Sequence, residues 1–351
     1  AGDAIGTPLT ELLRIRHPVI LAGMGPVSGA DIAAAVTNAG GLGVLGGHPD
    51  LRGEIRRTKD LIQGDKTCFG VDLLLPQVGG GARKTNFDYT GGRLGEMVDI
   101  LCDEGCRLFV SAVGVPPKWV VERLHSAGCL VMNMVGHPKH VDKACDVGVD
   151  LICAQGTEAG GHTGTIATMC LVPQCVDRCR GRTSPLTGGP VHVVAAGGIY
   201  DGRTVAAALA LGAEGVWVGT RFLASEEAAA TKIHKAGVLR AGTGDVVQSL
   251  HYSGRPCRML NTEYVQEWNG ARAAERDALL AEGKIPLHVD ERRARKESRP
   301  WSVADTQPLF MGQVSGAITS IQPAAAIMAE LVGGAAEVLR GRAGLLRAAK
   351  L

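Results

Sequence analysis

The sequence predicts one α/β architecture, a (β/α)8 TIM barrel with a small helical lid inserted after the eighth strand. Three observations predict it. Eight short apolar runs bounded by Gly, Pro or Asp recur along the first two thirds of the chain. Segments with apolar residues three and four apart lie between them, as core-facing helices require. The runs are also continuously apolar rather than alternating, the pattern of strands covered on both faces.

The strands fall at residues 18–22, 43–45, 69–75, 108–111, 130–134, 151–154, 191–195 and 215–218. Helical spacing marks residues 31–39, 93–104, 117–127, 139–147 and 202–211. Beyond Thr220 the pattern changes: residues 224–234 are rich in Ala, Glu and Lys, and residues 263–296 are polar, charged and helix-prone, with Trp268 and Trp301 near their ends. An apolar helical pattern returns at Phe310 and runs through residues 324–346, which reads as the last barrel helix. The chain thus divides into a barrel of residues 1–223 and 306–351 and an insertion of residues 224–305. The only loosely patterned stretch is the Gly-rich segment 79–92.

A chain of 351 residues suits a barrel with an insertion. Apolar residues at 45% and charged residues at 21% exclude a disordered chain. Lys and Arg number 37 against 35 Asp and Glu, so no global field draws in nucleic acid or an anionic membrane. No run reaches the roughly 20 apolar residues of a membrane span, and AGDAIGTPLTELL lacks the basic start and apolar core of a secretory signal. The expectation is a soluble intracellular protein, cytoplasmic or of the mitochondrial matrix, with a small-molecule partner; a homo-oligomer stays open. The ten cysteines are scattered, with no C-x-x-C pair. Cys102 with Cys106 and Cys175 with Cys179 sit four apart on expected helices, as do His137 and His140 in GHPKH at three apart. Such spacings can hold a metal, but thiols packed as small hydrophobes and surface or capping histidines are the better reading, and no metal is expected.

Barrel enzymes carry their active sites at the C-terminal strand ends, and phosphate commonly binds in the loops after strands 7 and 8. Strand 7 ends in Ala196-Gly197-Gly198-Ile199 and strand 8 in Gly219-Thr220-Arg221-Phe222. Both loops let backbone N–H groups approach an anion, and Thr220 adds a hydroxyl. One such glycine is often only a turn; two in the expected places favour a phosphate. Ala22-Gly23-Met24-Gly25 after strand 1 would let a flat ring lie against the backbone. Strand 6 leads into Gln155-Gly156-Thr157-Glu158-Ala159-Gly160-Gly161-His162-Thr163-Gly164, the densest glycine run in the chain. His162 is the sharpest catalytic candidate, because an imidazole can take a proton from a carbon acid or give one to a developing anion. The alternative is a histidine that only hydrogen-bonds within its loop. Glu158 is expected to accept backbone hydrogen bonds rather than act as acid or base.

These segments resemble the nitronate monooxygenases, once called 2-nitropropane dioxygenases, over nearly the whole chain. The marks are HPVILAGM at 17–24, AGGLGVLGG at 39–47, QGTEAGGHTG at 155–164, AAGGIYDGR at 195–203 and GVWVGTRFLAS at 215–225. VDLLLPQVGGGARKTNFDYT resembles the fungal and other eukaryotic branch, and MGQVSG at 311–316 is similar to a stretch of the FMN-dependent enoyl-acyl carrier protein reductases. The resemblance implies FMN as cofactor, held by Gly23, Met24, Gln155, Gly160, Gly161, Gly197, Gly198, Gly219 and Thr220, with His162 as the catalytic histidine. It implies oxidation of alkyl nitronates by dioxygen to a carbonyl compound and nitrite. An NAD(P)H-dependent flavin reductase acting on an enoyl thioester or quinone is the second reading, although no separate dinucleotide fingerprint is present. A catalytically idle barrel within a larger assembly is the third; His162 and the two phosphate loops count against it. One departure stands out: Asp72 occupies a position after which the strand continues as Leu73, where many relatives carry Asn, and its charge would alter the electrostatics beside a flavin.

Overall fold

The computed structural model describes residues 5–76 and 83–343. Residues 79–82 of the Gly-rich segment and 344–346 of the last helical pattern lie outside them. The described strands are β1 (Val19–Leu21), β2 (Gly43–Gly46), β3 (Phe69–Leu74), β4 (Leu108–Ala112), β5 (Leu130–Val135), β6 (Leu151–Gln155), β7 (Gly161–His162), β8 (His192–Ala196), β9 (Gly215–Val218), β10 (Val246–Ser249) and β11 (Cys257–Leu260). Eight of them form one parallel sheet in the order β1-β9-β8-β6-β5-β4-β3-β2. The ring closes where Leu21 N–H donates to Leu42 C=O at 2.9 Å and Leu42 N–H to Val19 C=O at 3.0 Å. The eight strands match the eight apolar runs, and the fold is a (β/α)8 barrel.

The absence of polar alternation in the sequence has a direct cause. Ile20, Val44, Val110, Met132, Cys153, Val194 and Trp217 fill the barrel interior. Their neighbours Leu21, Leu45, Phe109, Val131, Ile152, Val193 and Val216 pack outward beneath the helices. Both faces are apolar because both are covered. Helix Pro8–Leu13 sends Leu9 and Leu13 into the inner cluster, and Thr7 Oγ1 ties it to Glu214 C=O at the foot of β9 at 2.7 Å. The N-terminal end of the barrel is thereby closed, leaving the C-terminal end for chemistry. In β3 the outward positions are Phe69, Val71 and Leu73, so Gly70 and Asp72 face inward. A carboxyl group therefore enters an otherwise apolar interior.

The final helix, Ala324–Ala343, packs against helices Gly202–Ala210 and Ala30–Asn38, completing the outer ring as its sequence pattern implied. Gly202 is required there: a Cβ on it would lie 2.2 Å from the Gly334 carbonyl carbon. Cys175 and Cys179 lie on helix Thr168–Cys179, but Cys106 lies beyond the end of helix Leu94–Asp103, so the expected helical pair with Cys102 does not form. Cys106 is buried, its thiol donating to Leu108 C=O at 3.3 Å.

Between β9 and the final helix the chain forms helices Lys232–Arg240, Glu263–Asn269, Ala273–Ala281 and Pro286–Lys296, as the polar composition suggested. It also forms β10 and β11, which the helical expectation omitted. These strands are four residues each and cannot display a convincing period. Their partner explains them: β11 pairs antiparallel with β10 and with β7, placing Cys257 opposite His162 and Arg258 opposite Gly161. Arg272 braces the helices of this segment, with its guanidinium 2.7 and 2.8 Å from the two oxygens of Asp290 and 3.6 Å above the Trp268 ring.

Candidate active site

Where the loops at the C-terminal strand ends meet, Gly23 and Gly46 leave no room for side chains. A Cβ on Gly23 would fall 2.3 Å from Asp72, and one on Gly46 would fall 2.2 Å from the Gly25 carbonyl oxygen, so the ends of β1, β2 and β3 touch. A Cβ on Gly219 would stand 3.4 Å from Ala22 Cβ and 3.8 Å from Met24 Sδ, joining the β9 loop to the β1 loop. Thr220 turns toward the MGQVSG segment: its buried Oγ1 accepts from Gly312 N–H at 2.9 Å. Gln313 N–H in turn reaches Glu158 C=O at 2.9 Å. The MGQVSG segment thus clamps the loops after β6 and β9 together, a role that its sequence did not disclose.

Glu158 behaves as a structural acceptor. Both of its oxygens lie 3.1 Å from Thr168 N–H, and Thr168 Oγ1 lies 2.7 Å from Glu158 Oε2 and 2.9 Å from Gly197 C=O. This fixes the start of helix Thr168–Cys179 to the β8 loop, where Gly197 and Gly198 adopt φ +90 and +76, values that side chains resist. Gly23, Met24, Gln155, Gly160, Gly161, Gly197, Gly198, Gly219, Thr220 and His162 are therefore gathered on neighbouring strand-end loops.

His162 is held from three directions. Its carbonyl accepts from Gln155 Nε2 at 2.5 Å, its backbone pairs with β11, and its Nε2 lies 2.9 Å from Ser253 Oγ. Tyr89 meets the ring edge-on with centroids 6.3 Å apart. Burial, aided by the Arg255 guanidinium, pulls the imidazole down to about 4, so it is neutral at ordinary pH. Among the described residues Nδ1 has no hydrogen-bond partner, which leaves one ring nitrogen for a ligand. Ser253, Arg255 and Tyr89 were missed in the sequence; they lie far from His162 along the chain, and only the β7–β11 pairing could have drawn attention to them.

Asp72 is 4% exposed, its Oδ1 has no hydrogen-bond partner among the described residues, and burial pushes its carboxyl up to about 8. Asn133 Oδ1 on β5 is likewise buried without a partner. Buried polar atoms are normally satisfied, so these two together with the glycine cradle suit a polar ring system that presents its own donors.

Gly160 and Gly161 make separable demands. A Cβ on Gly160 would lie 2.7 Å from the Met311 backbone, whereas Gly161 has open space but φ +72. Gly160→Ala is expected to part the β6 loop from the clamp, lowering stability by about 1–3 kcal/mol and displacing His162. Gly161→Ala pays only the left-handed strain, about 1–2 kcal/mol. Thermal melts with parallel turnover measurements check the difference: Gly160→Ala should lose far more activity.

His137 and His140 do not join this site; their rings are 5.9 Å apart and His137 Nδ1 accepts from Lys139 N–H at 3.1 Å. No helix among the described residues is long and apolar enough to cross a membrane.

A profile of the nitronate monooxygenase family matches residues 6–334. An octahydroindene-carboxyl-CoA dehydrogenase of Mycobacterium tuberculosis is 38% identical over 272 residues, covering 76% of this chain and 70% of that protein. Among solved structures, FabK of Thermotoga maritima superposes with TM-score 0.77 at 28% identity, covering 97% of this chain and 100% of that one. A nitroalkane oxidase of Streptomyces ansochromogenes superposes with TM-score 0.76 at 27% identity, covering 95% of this chain and 99% of that one. With a profile match spanning almost the whole barrel and insertion, the chain belongs to the nitronate monooxygenase family of flavin-dependent oxidoreductases.

Proposed function

We propose that this chain binds FMN and oxidises alkyl nitronates with dioxygen, giving a carbonyl compound and nitrite. The observation that carries this reading is His162: an uncharged, desolvated imidazole with Nδ1 unengaged, set among the glycines of the strand ends. Gly197, Gly198, Gly219 and Thr220 would hold the phosphate, Gly23 and Met24 would flank the ring, and Gln155, Gly160 and Gly161 would border it on the β6 side. FMN, when bound, supplies the electron-accepting ring that no protein side chain offers.

The remaining work falls to the chain. With Ser253 donating to Nε2, His162 carries its proton on Nδ1 and can hydrogen-bond a nitronate oxygen. With Nε2–H donating to Ser253, Nδ1 presents a lone pair that can take the α-proton of a neutral nitroalkane. The cationic Arg255 nearby favours an anionic substrate. Residues 224–305 act as a lid that shields the site from water while the loops after β6 and β9 stay clamped.

Anaerobic mixing of the purified flavoprotein with propyl nitronate, followed by flavin absorbance, tests this reading against NADH as a parallel reductant. Fast bleaching by nitronate and none by NADH is the expected result. Bleaching by NADH alone would replace it with the second reading, a reductase or dehydrogenase acting on a thioester or quinone.

A further inference from the structure

The cysteines of the chain are all free thiols, and most serve as small apolar side chains. Two of them meet across a seam on the outside of the barrel. Helices Lys139–Asp146 and Thr168–Cys179 are neighbours, and three ion pairs join their ends. Arg178 Nη1 lies 2.8 Å from Asp142 Oδ2, Arg182 Nη2 lies 2.8 Å from Asp142 Oδ1, and Arg182 Nη1 lies 3.1 Å from Asp146 Oδ1. Exposed pairs of this kind contribute little to stability, but they fix which residues face each other. Asp142 and Asp146 bracket Cys145, and Arg178 and Arg182 bracket Cys179. The two side chains turn inward from the ion pairs onto the same apolar cluster, where the Cys179 thiol hydrogen-bonds the Cys145 sulfur.

The two thiols are not equivalent. Cys145 is half-buried, whereas Cys179 is 5% exposed and belongs to the core cluster itself. The hydrogen bond from Cys179, helped by the Arg182 guanidinium, holds Cys145 below the usual thiol range against burial and the charges of Asp142 and Asp146. The same hydrogen bond, together with burial and the neighbouring Cys175, pushes Cys179 well above that range. In a thiol pair, the sulfur that ionises readily and can be reached from solvent attacks first, and its shielded partner resolves the product. Cys102 is also half-buried, but burial, with Asp99 and Asp103 nearby, pushes its thiol up and leaves it a poorer nucleophile.

We propose that Cys145 and Cys179 form a redox modification site, at which hydrogen peroxide converts the pair to a disulfide joining the two helices. The Cys145 sulfur attacks one peroxide oxygen, the O–O bond breaks, and the departing hydroxide is protonated to water, leaving a sulfenic acid on Cys145. The Cys179 sulfur then attacks the Cys145 sulfur: the S–S bond forms, the S–O bond breaks, and the hydroxide leaves as water with the Cys179 proton. The thiols together give up two electrons and two protons, and one peroxide becomes two waters. The new bond closes a covalent loop over residues 145–179, which contain β6, the glycine run with His162, and the helix that Glu158 and Gly197 anchor at Thr168. Cys145 lies just before β6 begins and Cys179 ends its helix, so both sulfurs sit at the N-terminal end of the barrel, away from the strand-end loops. The link therefore steadies the unit that carries His162 without entering its chemistry.

The test is brief treatment of the purified flavoprotein with hydrogen peroxide, alkylation of the remaining thiols, and peptide mapping without reductant. It is run in a Cys170→Ser background, which removes the exposed thiol. A linked pair of peptides joining Cys145 to Cys179 is expected, and a dithiol reductant should erase it. Cys179→Ala should leave a sulfenic acid on Cys145 that dimedone captures, while Cys145→Ser should leave Cys179 reduced at the same dose. The oxidised protein should melt about 5 °C above the reduced one, the scale for closing a loop of this length in a chain of this size, and Cys145→Ser should show no such rise. Turnover and flavin content should be unchanged once the peroxide is removed. Linkage of Cys179 to Cys175, linkage through Cys102, or no linkage at a dose that oxidises the thiols of the urea-unfolded chain would overturn the proposal.

Discussion

His162→Ala is expected to lower turnover by about 10² to 10⁴ with the flavin still bound, the range for losing a positioned proton-transfer group. The flavin should remain because the phosphate loops that would hold it, at Gly197, Gly198, Gly219 and Thr220, are separate from the His162 side chain, which reaches Ser253 rather than the β8 or β9 loop. The pH profile sharpens the expectation. A free histidine would impose an acid limb near 6.5, whereas burial places that of His162 near 4. Activity should therefore be flat from neutral pH down to about 5 and fall only as the ring gains its proton. An alanine variant with unaltered turnover, or an acid limb at 6.5 that vanishes on substituting another residue, would remove His162 from the chemistry.

Asp72→Asn is expected to stabilise the protein at pH 7 by up to about 4 kcal/mol. The folded carboxyl titrates near 8, the unfolded one near 3.9, and each unit of difference is worth about 1.4 kcal/mol. Below pH 4 both states are protonated and the substitution should be almost neutral. From about pH 4 to 8 the folded state holds a proton that the unfolded state has lost, so wild-type stability declines through that window and the advantage of Asn grows. His162 has the opposite slope: its unfolded form binds a proton below about 6.5 that the folded ring refuses until about 4. His251, which burial also pulls down to about 4, adds to the rise between pH 4 and 6.5, so the decline due to Asp72 is read from the difference between wild type and Asp72→Asn rather than from wild type alone. Urea titrations of wild type and Asp72→Asn at pH 4, 6 and 8 measure it; equal midpoints at pH 8 would show that Asp72 is ionised at little cost.

The barrel was legible because its eight strands are buried on both faces and announce themselves as apolar runs without any knowledge of their partners. Gly197, Gly198, Gly219 and Thr220 were legible for a related reason: their place in the chain, directly after the seventh and eighth barrel strands, fixes their place in space. Ser253, Arg255 and the MGQVSG clamp were not. Each acts through a contact with a residue far off in sequence, such as Ser253 with His162 or Gly312 with Thr220, and no local period encodes such a contact. Strands β10 and β11 were hidden because four residues cannot show a period. Asp72 was visible as an oddity, but only the inward direction of its side chain shows why it matters.

The pairing of β7 with β11 ties the readiness of the site to the order in which the molecule folds. The barrel strands pair mostly with near neighbours in the chain, while His162 waits for a segment synthesised almost a hundred residues later. A barrel that has closed but has not yet received β11 lacks Ser253 and Arg255 around its histidine. Local opening of that small sheet would release the same groups together, without disturbing the parallel strands beneath. Amide exchange at the backbone of residues 161–162 and 257–258 should accordingly report one shared opening, faster than that of the barrel core, and the fraction of molecules in it is the fraction whose histidine is out of place.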